Sequence, residues 1–231
     1  IRGELHSHTD ASDGYSPLPD MVDAARALGR EYLAVTDHSP NLRVARGLDA
    51  SRLRAQLDDI AALNREVAPF RILTGIEADI LDDGALDQEP GLLDALDLVV
   101  ASVHSKLRMD ADAMTSRMVA AIANPRSDIL GHVTGRLIAG GRGTRPQSAF
   151  DAEVVFEACR HFGKAVEINS RPERLDPPDD LLALASEMGC LFAIDTDAHA
   201  PGQLEWTVHG VRKAMAAGID ADRIVNTWPV E

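Results

Sequence analysis

The chain has 231 residues, 45% of them hydrophobic, with 23 basic against 37 acidic side chains and a formal net charge of −14. That is enough apolar material for a large buried core, while the acidic balance works against nonspecific binding of a polyanion over the surface as a whole. No apolar run approaches the roughly 18 residues of a membrane span, and Cys159 and Cys190 lack CxxC spacing, so both read as buried free thiols of a reducing, cytoplasmic compartment.

Seven short runs rich in Val, Ile and Leu follow one another: RGEL (2–5), YLAVT (32–36), RILTGIE (71–77), LDLVVASV (96–103), SDILG (127–131), KAVEIN (164–169) and CLFAID (190–195). Each reads as a strand. Helical periodicity falls between them at 17–29, with proline near its start and Gly29 as a stop, and at 49–67, 111–124 and 148–162. Strands alternating with helices argue for a parallel sheet, either a closed barrel related to the eightfold β/α barrel or an open doubly wound sheet. No linker, repeat or low-complexity tract marks a boundary, so a single domain over 1–231 is expected. Because Ile1 stands where a methionine would begin a chain, that domain is expected to be a fragment lacking an upstream region.

Unusual residues collect where the strands end. GELHSHTDASDG (3–14) places His6 and His8 on one face of a strand, since side chains at i and i+2 point the same way, and Asp13 follows on the next loop. His38 comes after YLAVT with Asp37 beside it, which reads as a local cap. Glu77 ends RILTGIE, His104 follows LDLVVASV, His132 follows DILG, and Asp197 and His199 follow CLFAID. Taken singly, each has an ordinary explanation as a packed histidine or a salt-bridge partner. Jointly, buried histidines and carboxylates delivered to one rim are costly without cations to hold. Nine such ligands exceed one coordination sphere, and imidazole with carboxylate but no thiolate suits Zn, Mn or Fe. His161 and His209 lie in helical stretches and read as surface residues.

The motifs GELHSHTDASDG, AVTDHS, VASVH and DTDAH, with GIE (75–77) and GH (131–132) in their places, resemble the PHP (polymerase and histidinol phosphatase) family. LAVTDHS, RILTGIEADIL, VVASVHS, DILGHVTGRL and VEINSRPERLD are most similar to the PHP domain of bacterial X-family DNA polymerases. The resemblance spans nearly the whole chain. It implies a distorted seven-stranded (β/α)7 TIM-like barrel with three divalent metal ions: one held by His6, His8, Glu77 and Asp197, a second by Glu77, His104 and His132 with Glu77 bridging, and a third by Asp13, His38 and His199. Asp195 departs from the polymerase-type pattern, which has a small neutral residue there. It reads either as a partner of the metal ligands or as an inward barrel residue bonded to a backbone amide.

A phosphate-ester substrate needs fixed cations as well as metals. Arg136 and Arg171 are the first candidates, followed by Lys106 and Arg174, each close beyond a strand end. The Gly-rich stretch IAGGRGTRP (138–146) carries Arg142 and Arg145 and reads as a mobile edge of the cleft. It lacks the GKS/T ending of a P-loop. The function expected is a metal-dependent phosphoesterase in which cations clamp the attacking and leaving oxygens, acting at nucleic-acid 3′ ends as a 3′–5′ exonuclease or 3′-phosphatase. The alternatives are a small-molecule phosphomonoesterase such as a histidinol-phosphatase-like enzyme, and a metal-stabilised structural module of a repair protein.

Overall fold

All seven apolar runs form strands: β1 (Gly3–Glu4), β2 (Tyr32–Val35), β3 (Arg71–Asp79), β4 (Leu98–Ser102), β5 (Ile129–Leu130), β6 (Ala165–Asn169) and β7 (Leu191–Asp195). The computed structural model describes residues 1–141 and 143–230. A helix follows each strand: α1 (Leu18–Ala27), α2 (Ala50–Val67), α3 (Pro90–Leu93), α4 (Ala111–Ile122), α5 (Ala152–Phe162), α6 (Asp179–Glu187) and α7 (Thr207–Ala216). The strands are parallel and their spatial order is their chain order. A doubly wound sheet would reverse that order at a switch point. The architecture is therefore the nearly closed seven-stranded β/α barrel.

Local chemistry sets the helix starts. Asp49 accepts hydrogen bonds from the Ser51 and Arg52 amides at 3.0 and 2.9 Å and so begins α2. The periodicity that begins at 148 becomes helical only at Ala152, because Asp151 caps α5 by accepting from the Val154 amide at 3.1 Å. Ser148 stays outside the helix, its amide donating to the Thr134 carbonyl at 2.8 Å.

Alternation along the strands divides the core in two. Leu5, Tyr32, Ala34, Val100, Ile129, Ala165 and Ala193 meet inside the barrel. The residues between them, such as Leu33 and Ile72 or Val166, Phe192 and Ile194, pack outward with the helices. Each fully buried Leu, Ile or Phe contributes roughly 1.5–3 kcal/mol, so the outer shell supplies most of the stability. Two residues further along the same inward faces, Ala34, Ala165 and Ala193 give way to Thr36, Glu167 and Asp195, all buried. The barrel interior thus turns from apolar to polar toward the carboxyl ends of its strands.

The seam between β1 and β7 is the distorted part. Backbone pairing closes it only at the carboxyl end, through the Ser7–Ala198 bridge and the His8 amide donating to the Ala198 carbonyl at 2.8 Å. Below that, Asn226 substitutes for a strand: its side-chain amide donates to the Ile194 carbonyl at 3.1 Å and to Asp195 Oδ1 at 2.8 Å, and its Oδ1 accepts from the Ile194 amide at 2.7 Å. Asp195 also accepts from the Leu5 amide at 3.0 Å. Of the two sequence readings of Asp195, the backbone-bonded barrel residue is the one found.

Candidate metal centre

The nine residues read as ligands from the sequence converge at the carboxyl end of the barrel. His6, His8 and Glu77 bring donor atoms within 4.8 Å of one another, as do His38, Glu77 and His104, and His8, Asp13, His38 and His199. Glu77 is at the middle. Its Oε1 faces His132 Nε2 at 2.9 Å and His104 Nε2 at 3.2 Å, while Oε2 faces His38 Nδ1 at 2.9 Å, His6 Nε2 at 3.3 Å and His8 Nε2 at 3.5 Å. Asp197 Oδ1 lies 3.4 Å from His8 Nε2, and Asp13 Oδ1 lies 3.4 and 3.3 Å from His38 and His199 Nε2.

This donor set fits divalent cations. His6 Nε2, both ring nitrogens of His8, Asp13 Oδ1, His38 Nδ1, Glu77 Oε2 and His132 Nδ1 are buried without a hydrogen-bond partner in the polypeptide. Such orphans cost on the order of 1–3 kcal/mol each, and their concentration in one place is explained by ions that take up the lone pairs. Backbone strain has the same address: Asp197 adopts a left-handed φ of 51° and His132 one of 20°. These turns swing the ligand back over the barrel directly after β7 and β5. Gly131 makes the second turn feasible, since a Cβ there would stand 2.2 Å from Ser102 Oγ.

Protonation at His8 and His132 suits ligation, whereas at His104 burial is outweighed by Glu77 and Asp79, which raise it to about 9, so a cation there would have to displace a proton. Burial, reinforced by repulsion from His199 and His38, lowers His8 to about 3. Burial with the nearby Arg174 cation lowers His132 to about 4. Both imidazoles are therefore neutral near pH 7 and can donate lone pairs. Burial would raise Glu77, but the surrounding His104, His6 and His38 take it well below the usual carboxylate range.

A ring of buried partners orients the ligands. Glu167 accepts at 2.5 Å from His6 Nδ1 and at 2.5 Å from the His132 amide, and Asp79 lies 2.5 Å from His104 Nδ1. Each leaves the Nε2 of its histidine facing Glu77, the arrangement by which a carboxylate fixes the tautomer of a ligand. Asp37 is more than a cap: it accepts from Thr9, Ser12 and Gln56 and so fixes the loop that presents Asp13. Glu167 and Asp79 were not singled out in the sequence, although Asp79 shares a strand face with Glu77.

Above the ligands opens a cleft of about 240 Å³ whose lining includes Arg145, Arg171 and Arg174. Of the four cations read from the sequence as candidates for phosphate contact, Arg171 and Arg174 are there, and Arg136 and Lys106 are not. Arg136 is turned away: its guanidinium donates to the Arg174 and Leu175 carbonyls at 3.1 and 2.5 Å, with Asp176 at 3.7 Å. Lys106 is engaged with Asp82 outside the cleft. Arg174 is 5% exposed, its Nε lies 3.2 Å from Asp197 Oδ2, and its Nη1 has no partner. From the Gly-rich stretch Arg145 reaches the cleft, and Arg142 lies outside the described residues. His161 is exposed as expected, whereas His209 is half-buried on α7.

The PHP domain family matches residues 4–171 of the chain. The chain belongs to the PHP family. This PHP protein is 39% identical over 226 residues to the Bacillus subtilis DNA polymerase/3'-5' exonuclease PolX, a match covering 98% of the chain and 39% of PolX, so the chain spans about two fifths of that relative's length. It is 28% identical over 235 residues to a Thermoanaerobacter sp. protein named "Probable phosphatase", covering 97% of the chain and 89% of that protein. Among solved structures, the Lactococcus lactis histidinol phosphate phosphatase in complex with zinc, L-histidinol and phosphate shares the PHP fold. It has a TM-score of 0.65 and 18% identity, with 95% of this chain and 94% of that one covered.

Proposed function

We propose that this PHP-family protein, a metal-dependent phosphoester hydrolase, acts at nucleic-acid 3′ ends, as a 3′–5′ exonuclease or a 3′-phosphatase. The observation that carries the reading is the similarity to PolX along almost the entire chain, on a chain whose nine ligand positions are all filled and convergent. A structural module has no need of that complete set. We assign His6, His8, Glu77 and Asp197 to one ion, Glu77, His104 and His132 to a second, and Asp13, His38 and His199 to a third, with Zn, Mn or Fe compatible with the donors.

Divalent ions in this donor set supply Lewis-acid activation of water and of the phosphoryl oxygens. The polypeptide does the rest. Glu77 presents one oxygen to each side of the centre and would offset the repulsion between neighbouring cations held there. Arg171 and Arg174, with Arg145 at the edge, face the anionic oxygens of a phosphate ester in the cleft. The free Nη1 of Arg174 is a donor held ready for one of them.

The net charge of −14 favours one second reading, a small-molecule phosphomonoesterase. A substrate panel with Mn²⁺ or Zn²⁺ separates the two: 3′-OH DNA, 3′-phosphate DNA, histidinol phosphate and p-nitrophenyl phosphate. We expect kcat/KM to be highest on one of the DNA substrates. Preference for histidinol phosphate with no action on either DNA end overturns the nucleic-acid reading.

A further inference from the structure

One wall of the cleft is left unused by the chemistry above. Leu42, Val44 and Ala45 line it, on a 3-10 turn (Arg43–Ala45) in the loop after β2. Val44 is 92% exposed, and Tyr15, two residues after Asp13, is 79% exposed. Among the described residues only one other large apolar side chain, Met215 at 75%, is comparably bare. Single apolar residues on a surface need no explanation; here one of the three barest, Val44, lines the cleft, and a second, Tyr15, stands on the loop that brings Asp13 into the same lining. The Tyr15 backbone is tied to the cleft lining by its amide, which donates to the carbonyl of His199 at 2.7 Å.

The two loops that carry these side chains are fastened together. Arg46 donates from Nη2 to the Asp10 carbonyl at 3.3 Å and to that of Ser12. Arg52 donates to the Arg46 and Gly47 carbonyls at 2.6 and 3.1 Å and also to the Ala11 carbonyl. Ser12 is in turn bonded to Asp37. Apolar side chains held bare on an anchored backbone form a surface ready to bind without prior ordering.

We propose that Tyr15 and Val44 are a base-binding lip, on which the terminal nucleobase of a single strand stacks while its 3′ phosphate group enters the cleft toward Arg171 and Arg174. This inference rests on the nucleic-acid reading given above. The chemistry is complementary: a terminal nucleotide offers an apolar face beside an anion, and the mouth offers an apolar lip beside a cluster of arginines. The charge of −14 on the rest of the chain limits the footprint, because a long polyanion gains nothing from an acidic surface. Recognition is therefore confined to the last one or two nucleotides.

The test compares a 3′-phosphorylated oligothymidylate with glycerol phosphate, which has the ester but no base, using Tyr15→Ser, Tyr15→Phe, Val44→Ser and, as a control, Met215→Ser. Loss of one base–aromatic stack raises KM for the oligonucleotide about tenfold with kcat kept, and the specificity ratio over glycerol phosphate falls by the same factor. Val44→Ser lowers that ratio by a smaller factor, Tyr15→Phe restores it and Met215→Ser leaves it alone. A dinucleotide with a 3′-phosphate is expected to match the longer strand in KM. If the wild-type protein hydrolyses the oligonucleotide and Tyr15→Ser and Val44→Ser leave the ratio unchanged, the lip is overturned and the 3′-end reading stands. If the wild-type protein hydrolyses glycerol phosphate but neither the 3′-phosphorylated oligothymidylate nor the same strand with a 3′-OH end, both fall.

Discussion

The two ends of the barrel are built from the same strands and have opposite chemistry. At the amino end the interior is apolar, with Leu5, Tyr32, Ile129 and Ala165 packed together and the segment 228–230 drawn across it. At the carboxyl end the next inward positions are Thr36, Glu77, Glu167 and Asp195, crowned by buried histidines with unpaired nitrogens. One end is satisfied and the other is not. The deficit at the carboxyl end is tolerable because the rest of the barrel and its helical shell hold the strand ends in place, and it is the deficit that holds cations. This is the division of labour of β/α barrels, in which loops beyond the strands carry chemistry and the opposite face carries stability.

The most direct way to break the contrast is Glu77→Gln. An amide keeps the size but loses the charge that both sides of the centre share. A unit charge about 4 Å from another contributes roughly 4 kcal/mol at an effective dielectric near 20, so kcat/KM is expected to fall by about a thousandfold. Metal analysis by mass spectrometry should show fewer ions per chain, with the circular dichroism unchanged. Full metal content with near wild-type turnover would remove Glu77 from the centre of the site. The converse change is Tyr32→Ala at the amino end, which empties a site 3% exposed. Truncation of a large buried aromatic costs about 3–5 kcal/mol, read as a lower denaturant midpoint, while metal stoichiometry stays at its wild-type value in the folded protein. Loss of metal in step with stability would mean that the two ends are not separable.

The two ends also differ in how far the sequence reveals them. All seven strands are visible as apolar runs because a parallel sheet is covered on both faces, and the nine proposed ligands are visible because each stands at or just beyond the end of such a run. The ring behind the ligands is harder to see. Glu167 and Asp79 sit within strands, where a single carboxylate carries no motif; only the spacing of two from Asn169 and from Glu77 hints at their shared inward face. Arg136 and Arg174 are both candidates, but which of the two enters the cleft is not legible in the sequence. Both follow a strand end, and what separates them is that carbonyls of Arg174 and Leu175 happen to lie where the Arg136 guanidinium can reach them. Likewise α6 and α7 lie outside the stretches read as helical, while short α3, with Pro90 in its first turn, is a single turn whose extent only packing sets.

Glu167→Gln sharpens the comparison within the carboxyl end. The carboxylate serves His6 Nδ1, the His132 amide and the Asn169 side-chain amide together, all as donors to it. A glutamine must turn one N–H toward a donor. Changes of this kind behind a ligand lower metal affinity about 10–100-fold, which a chelator competition titration measures, and excess metal is expected to restore most of the turnover. A variant with unaltered affinity would reduce Glu167 to a packing residue.

The smallest effect is expected at the amino end, from Tyr32→Phe. The Tyr32 hydroxyl donates to the Trp228 carbonyl at 3.2 Å, and losing that bond costs about 1 kcal/mol near neutral pH. Its pH dependence is more telling. Burial first, and the negative charge assigned to Asp195 second, push the phenol from 10.0 up to about 12. An acid whose folded value is raised contributes stability that is fully present below its unfolded value and is lost as the pH rises through the folded one. Wild-type stability should therefore fall more steeply than that of Tyr32→Phe between pH 10 and about 12, with the two running parallel below pH 9, where the phenol is protonated in both states. Urea midpoints across that range give the answer. Parallel curves throughout would show that the Tyr32 hydroxyl is as well solvated as in the unfolded chain, and that the amino end is less dry than its apolar lining makes it.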